Sequence, residues 1–186
     1  RSPWTRRWRE RLEQFWSAFQ QEDVMRKKII VDHSKCTGCF ICGETCSLIK
    51  TGGINPAASR IRVIDWEDTG VTVPILCQHC EEPVCLPACP EGAISRDPET
   101  GIVSIDPDRC VSCTVCRNVC PYAGPVFSAP EKQVVLCDQC GGEPSCVIVC
   151  PTGALSYEEY EESAQEKRLQ SMNSARENLL KKERSS

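Results

Sequence analysis

Sixteen cysteines fall into four tight clumps in a chain of 186 residues, and that clumping constrains the fold more than any other feature. The first clump is Cys36, Cys39, Cys42 and Cys46, spaced C-x2-C-x2-C-x3-C. The third, Cys110, Cys113, Cys116 and Cys120, repeats that spacing and is followed by Pro121. The second, Cys77, Cys80, Cys85 and Cys89, widens to C-x2-C-x4-C-x3-C before Pro90. The fourth, Cys137, Cys140, Cys146 and Cys150, widens to C-x2-C-x5-C-x3-C before Pro151. So much cysteine in a short chain implies a disulfide scaffold or a metal framework. Thiols this close would form only strained or purely local bridges, whereas metal sites need the clumping.

The compact spacing is that of the bacterial ferredoxin run, which holds cubane [4Fe–4S] clusters. Three thiolates two residues apart reach three iron corners from one tight loop. Small residues such as Gly38, Ser112, Gly141 and Gly142 let main-chain N–H groups turn toward the sulfurs. The fourth cysteine leads away from the loop, and in two-cluster ferredoxins it ligates the other cluster. The proline after it has fixed φ and no N–H to satisfy, which suits the bend. Zinc is the competing reading, but four-cysteine zinc sites use two C-x2-C knuckles well separated in sequence. Sixteen ligands for four clusters leave none missing, so all four are expected to be [4Fe–4S].

The clumps are of two kinds. EPVCLPACPEGAIS from Glu82 and EPSCVIVCPTGALS from Glu143 are repeats of one pattern, and the first and third clumps are compact. Between the second and third lie AIS and GIVSID around the turn DPETG, read as a β-hairpin. Clump, hairpin, clump is the order of a two-cluster ferredoxin, so 77–121 form an inner unit. KIIVD before the first clump and ALSY after the fourth read as strands. They close an outer unit, 29–76 plus 122–157, around the inner one. Residues 61–76 offer two more strands with a turn near Asp68–Gly70. The expected fold is α+β: two ferredoxin-like two-cluster units, one nested within the other, with small antiparallel hairpins, short helices and helical extensions at both ends. So small a core depends on its clusters as staples.

The run CQHCEEPVCLPACPEGAI from Cys77 resembles the hallmark of four-cluster iron–sulfur subunits of the dimethyl sulfoxide reductase family. The resemblance spans about residues 28–157. NPAASRIRVIDWED from Asn55 is similar, more narrowly, to small electron-transfer subunits of tungsten enzymes, of the aldehyde oxidoreductase and class II benzoyl-CoA reductase types. The family implies that the first clump pairs with the fourth and the second with the third. One cluster then takes Cys36, Cys39, Cys42 and Cys150, and another Cys137, Cys140, Cys146 and Cys46. A third takes Cys77, Cys80, Cys85 and Cys120, and the last Cys110, Cys113, Cys116 and Cys89. Ser47 stands where the other clumps have proline, which puts the local bend in doubt. A membrane-anchoring C-terminal helix like that of some relatives is not expected.

The resemblance implies a non-catalytic electron-transfer subunit that relays electrons between a catalytic partner and a ferredoxin, flavin subunit or other redox partner. The partner is expected to carry tungsten or molybdenum. The alternative is a polyferredoxin-type subunit of a hydrogenase, formate dehydrogenase or carbon monoxide dehydrogenase complex. No catalytic triad or phosphate loop appears. His79, between two ligands, is read as a supporting or surface histidine, with a redox-linked proton site as the sharper alternative; His33 is read as solvated.

Charge divides the chain. Residues 1–28 carry eight Lys/Arg against four Asp/Glu, and 29–157 carry eight against fifteen. An acidic body with thiolate clusters argues against nucleic acid as a partner. In the basic arm Trp4, Trp8, Leu12, Phe15, Trp16 and Phe19 recur at helical spacing among Arg6, Arg7, Arg9 and Arg11. This composition suits a partner subunit, the chain's own body, or peripheral membrane contact through 1–19. No secretory signal or run of about 18 apolar residues is seen, so a cytoplasmic location is expected. The tail 158–186 is charged and reads as a helix with weak apolar spacing at Leu169, Met172, Leu179 and Leu180.

Overall fold

The computed structural model describes residues 27–66 and 70–159. The aromatic arm, nearly all of the charged tail and most of the turn near Asp68–Gly70 lie outside these residues. Among the described residues no helix is long and apolar enough to cross a membrane.

Among the described residues the architecture is α+β, built from four two-stranded antiparallel pairs and three short α-helices. Strand β1, Lys27–Val31, pairs with the last strand, β8, Leu155–Glu159, with Ile29 opposite Tyr157 and Val31 opposite Leu155. Strands β2, Arg62–Trp66, and β3, Val71–Ile75, form a hairpin. Pro74 is tolerated in β3 because a two-stranded sheet leaves one edge without ladder bonds. Strands β4, Ile94–Arg96, and β5, Val103–Ile105, flank the DPETG turn. The Asp97 carboxylate caps that turn, accepting from the N–H groups of Glu99 at 2.9 Å and Thr100 at 2.7 Å. Strands β6, Val126–Ser128, and β7, Gln133–Val135, form a hairpin absent from the sequence reading.

Helix α1, Ile41–Thr51, and helix α2, Val115–Val119, belong to the two compact clumps. Both are entered through a left-handed residue, Phe40 at φ 60 and Thr114 at φ 62. They end differently. Helix α2 stops at Cys120, whose neighbour Pro121 cannot continue it. Helix α1 runs past Cys46 to Thr51, because Ser47 replaces that proline. Ser47 is fully buried; its hydroxyl donates to the Glu44 carbonyl at 2.8 Å and accepts from the Asn55 N–H at 3.1 Å. The doubt over the bend is thereby answered: after Cys46 the chain stays helical. Helix α3, Ser145–Ile148, carries Cys146 and packs on α1.

Two apolar cores result. The first joins Ile29, Ile61, Leu76 and Leu155 with Cys42, Cys46 and Cys146. The second joins Ile94, Val103, Val134 and Leu136 with Cys85 and Cys116. Polar contacts tie the segments that contribute to them. Lys28 in β1, 3% exposed, meets the Glu81 carboxylate at 3.1 Å, and Arg96 of β4 takes its other oxygen at 2.8 Å. The Arg62 guanidinium donates to the Ala123 carbonyl at 2.7 Å.

Candidate functional site

Two cavities each bring together three thiols of one clump and one of another. Cys110, Cys113 and Cys116 line a cavity with Cys89. Cys137, Cys140 and Cys146 line a second with Cys46. Cys150 lies within electrostatic reach of Cys36 and Cys42, which also feel Cys39. Cys120 is the strongest charged neighbour of Cys85, which also feels Cys80, and Cys77 feels both Cys85 and Cys80. Electrostatic influence also runs between clumps: Cys42 bears on Cys146, Cys137 on Cys77, and Cys116 on Cys85. Cys39 and Cys113 are the two exposed cysteines.

The last cysteine of every clump accepts main-chain N–H groups. Ala93 donates to Cys89 Sγ at 3.3 Å and Gly124 to Cys120 Sγ at 3.4 Å, each four residues on. Cys150 receives Leu155, Thr152 and Ala154. In these three the proline bend folds the following residues back over the sulfur. Cys46 has no such bend, and its donor is the N–H of Arg60 at 3.4 Å, fourteen residues on. Donors also reach cysteines inside the clumps, such as Gln139 to Cys137 at 3.4 Å.

Burial shapes the acidity of the thiols. It pushes Cys42 and Cys85 up to about 11 and Cys77 and Cys137 up to about 12, with neighbouring thiols adding to the rise. Burial raises Cys146, Cys36 and Cys116 as well. Cys150 is the exception: burial opposes its ionisation, but the N–H groups around it and the Thr152 hydroxyl hold it below the ordinary thiol value. Clustered thiols cannot all ionise without a compensating cation, so metal loading would release protons. Among the described residues no three His, Cys, Asp or Glu side chains converge as ligands of a single ion do. Apolar side chains line part of each cavity, Ile94, Ile105 and Val134 in one and Ile29, Ile61 and Leu76 in the other. Four thiols around a shared space, with N–H groups aimed at sulfur, fit a cubane [4Fe–4S] core.

Supporting residues complete the picture. His79 is 2% exposed, which removes the surface reading. Its Nδ1 accepts from the Val103 N–H at 2.9 Å and lies 3.9 Å from Cys77 Sγ, so it joins β5 to a thiol. Gly124 is required by space: a Cβ there would stand 2.9 Å from Cys77 Cα. The charged residues around the Cys46 cavity were not singled out from sequence. Lys50 Nζ and Arg60 Nη1 both reach Asp138 Oδ2, at 2.8 and 2.7 Å, while Asp138 Oδ1 accepts from the Cys140 N–H at 3.0 Å. Burial opposes the charge on Asp138, but the Lys50 hydrogen bond, the Cys140 N–H and Arg60 outweigh it and hold the carboxyl below its ordinary value. Lys50 is raised against the same burial by Asp138. A carboxylate between two ligands, in Cys137–Asp138–Gln139–Cys140, was the available signal that cations would be needed nearby.

Comparison with known proteins points to [4Fe–4S] binding. Residues 69–160 match the family described as a 4Fe-4S dicluster domain. The polyferredoxin-like subunit of an aliphatic sulfonate oxidoreductase from Pyrococcus furiosus is 43% identical over 122 residues, 66% of this chain and 70% of that one. The probable anaerobic dimethyl sulfoxide reductase chain YnfG of Escherichia coli is 36% identical over 153 residues, 73% of this chain and 74% of that one. Among solved structures, the active site complex BamBC of benzoyl coenzyme A reductase with benzoyl-CoA aligns over 80% of this chain and 89% of that one. Its identity is 28% and its TM-score 0.45, so it carries no argument about geometry.

Proposed function

Because this chain belongs to the 4Fe-4S dicluster family that includes the iron–sulfur subunits of dimethyl sulfoxide reductases, we propose that it carries four [4Fe–4S] clusters as a linear electron relay. At the coarser level it is an iron–sulfur electron-transfer subunit of an oxidoreductase complex. The observation that supports the finer reading is that Cys89 shares a cavity with Cys110, Cys113 and Cys116, and Cys46 another with Cys137, Cys140 and Cys146. The ligand sets proposed are Cys36, Cys39, Cys42 with Cys150; Cys137, Cys140, Cys146 with Cys46; Cys77, Cys80, Cys85 with Cys120; and Cys110, Cys113, Cys116 with Cys89. The electrostatic influence of Cys42 on Cys146, Cys137 on Cys77 and Cys116 on Cys85 supports that order of neighbours. The nested arrangement of units is part of the same proposal: the first core draws only on residues of the outer unit, while the second adds Val134 and Leu136 of the outer unit to Cys85, Ile94, Val103 and Cys116 of the inner one.

Bound clusters supply one-electron storage and transfer; the chain supplies their placement and potentials. The main-chain N–H groups at Cys46, Cys89, Cys120 and Cys150 stabilise negative charge on sulfur and lock each crossing cysteine. Apolar walls exclude water. Exposed Cys39 and Cys113 put the ends of the relay at the surface, where redox partners dock. One partner is a catalytic subunit, proposed to hold tungsten or molybdenum because residues 55–68 resemble the small subunits of tungsten enzymes. The other is a ferredoxin, flavin subunit or further carrier. The proposed location is cytoplasmic.

Anaerobic purification tests the reading. About 16 Fe per chain, four per cubane, is expected, with cubane EPR signals after reduction. Far less iron in a folded chain, or a colourless protein holding zinc, would overturn it. Tungsten or molybdenum in the co-purifying complex is expected; nickel would move the partner to a hydrogenase or carbon monoxide dehydrogenase.

A further inference from the structure

The two enclosed cysteine cavities differ in fixed charge. Lys50, Arg60 and Asp138 form part of the wall around Cys46, Cys137, Cys140 and Cys146. Two cations thus face one carboxylate. Their side chains are largely shielded from water, at 14% and 19% exposure for Lys50 and Arg60. Arg60 reaches the site twice, through its main-chain N–H on Cys46 Sγ and its guanidinium on Asp138. Its Nε is buried with no protein acceptor. Glu131 approaches the Arg60 guanidinium only at 4.0 Å and is not part of this wall. The cavity around Cys89, Cys110, Cys113 and Cys116 has no Lys or Arg in its wall, and Glu91 is its one acidic residue. Arg109 near it is spent on the Glu91 carbonyl in an exposed position.

We infer that Lys50 and Arg60 set the reduction potential of the cluster held by Cys46, Cys137, Cys140 and Cys146 above that of the cluster held by Cys89, Cys110, Cys113 and Cys116. This rests on the cluster reading proposed above. Reduction adds one electron and no proton, so the site gains one unit of negative charge. Fixed cations shielded from water stabilise that added charge more than exposed ones, because less solvent screens them. The chain thereby builds an electron sink inside the relay, next to the group that ends at Cys39, and leaves the Cys113 end as the low-potential terminus. Lys50 and Arg60 are positioning residues: neither ligates iron, and each acts through the field it places on the cavity. Sharing Asp138 between them keeps the carboxylate paired when either cation is removed.

The test is an EPR-monitored dithionite titration of the full chain at constant pH, with iron measured in every sample. In Lys50→Met one midpoint is expected to fall by about a tenfold change in the reduction equilibrium, ~59 mV for one electron. The signal that moves should be the one altered in Cys46→Ser. Lys50→Arg, which keeps the charge, should restore the wild-type midpoint. Should Lys50→Met lose iron, Lys50→Gln read in the same way replaces it. Full iron with unmoved midpoints in Lys50→Met would overturn the inference, as would an equal shift in Lys50→Arg. Loss of the cluster in every neutral variant, with Lys50→Arg intact, would make the cation structural and overturn it too. A wild-type protein lacking about 16 Fe would instead overturn the cluster reading itself.

Discussion

The second core is made by neighbours in sequence, the first by strangers. Ile94, Val103, Val134 and Leu136 lie within one stretch of chain, with the β4–β5 hairpin between two cysteine clumps. The first core takes Ile29 from one end of the described chain, Leu155 from the other, and Ile61 and Leu76 from between. Closing it means pairing β1 with β8 across nearly the whole described chain. Long-range closure carries a larger entropy cost and a slower search than a hairpin does. Long-range ion pairs accompany it: Lys50 with Asp138 across 88 positions and Arg60 with Asp138 across 78. The difference teaches that one kind of thiol pocket can be reached by local or by distant folding, and that the distant route leaves charge behind in the cavity wall.

Cysteine replacement gives the sharpest way to break this comparison. Cys46→Ser should cost about a quarter of the iron, from the group of Cys137, Cys140 and Cys146. Cys89→Ser should cost a like share from the group of Cys110, Cys113 and Cys116. Iron analysis with EPR checks both; Cys46→Ser silencing a cluster in the second core would merge the two cores into one unit. Next in size is Ile61→Ala, at a side chain 2% exposed in the first core. Its expected cost is about 2–5 kcal/mol, seen as first-core clusters bleaching at lower guanidinium than the others. Simultaneous bleaching of all four would erase the distinction. Gly124→Ala should act on the other side, pressing a methyl to 2.9 Å from Cys77 Cα at about 1–3 kcal/mol. Early loss of the cluster at Cys77, Cys80, Cys85 and Cys120 is the expected sign, and unchanged bleaching would mean that the backbone there yields freely. Smallest is Lys35→Ala, which removes an exposed 3.0 Å pair with Asp32. It should move the bleaching midpoint by less than ~1 kcal/mol; a larger shift would reveal tertiary work by that pair.

What the sequence disclosed follows the same divide. Cysteine spacing is local, so the clumps and their chemistry were legible at once. The β4–β5 hairpin was legible because Asp97 and Gly101 are specialised for its turn, Gly101 at φ 70. The β6–β7 hairpin was not, because its turn puts Lys132 at φ 54, where glycine or asparagine is the usual signal. The charged wall of the Cys46 cavity was hidden for a different reason. Lys50, Arg60 and Asp138 have no spacing relation, and only folding brings them to one carboxylate oxygen. His79 stood in plain view between two cysteines, yet its partner, the Val103 N–H, belongs to a strand 24 positions away.

The pairing of β1 with β8 also has a meaning in time. A ribosome adds roughly 5–20 residues per second, so β1 waits on the order of 10 s for β8. Through that interval Cys36, Cys39 and Cys42 stand without Cys150, which in the folded chain lies within electrostatic reach of Cys36 and Cys42. Shelter of the nascent clump until Cys150 has emerged is therefore expected to raise the yield of loaded protein.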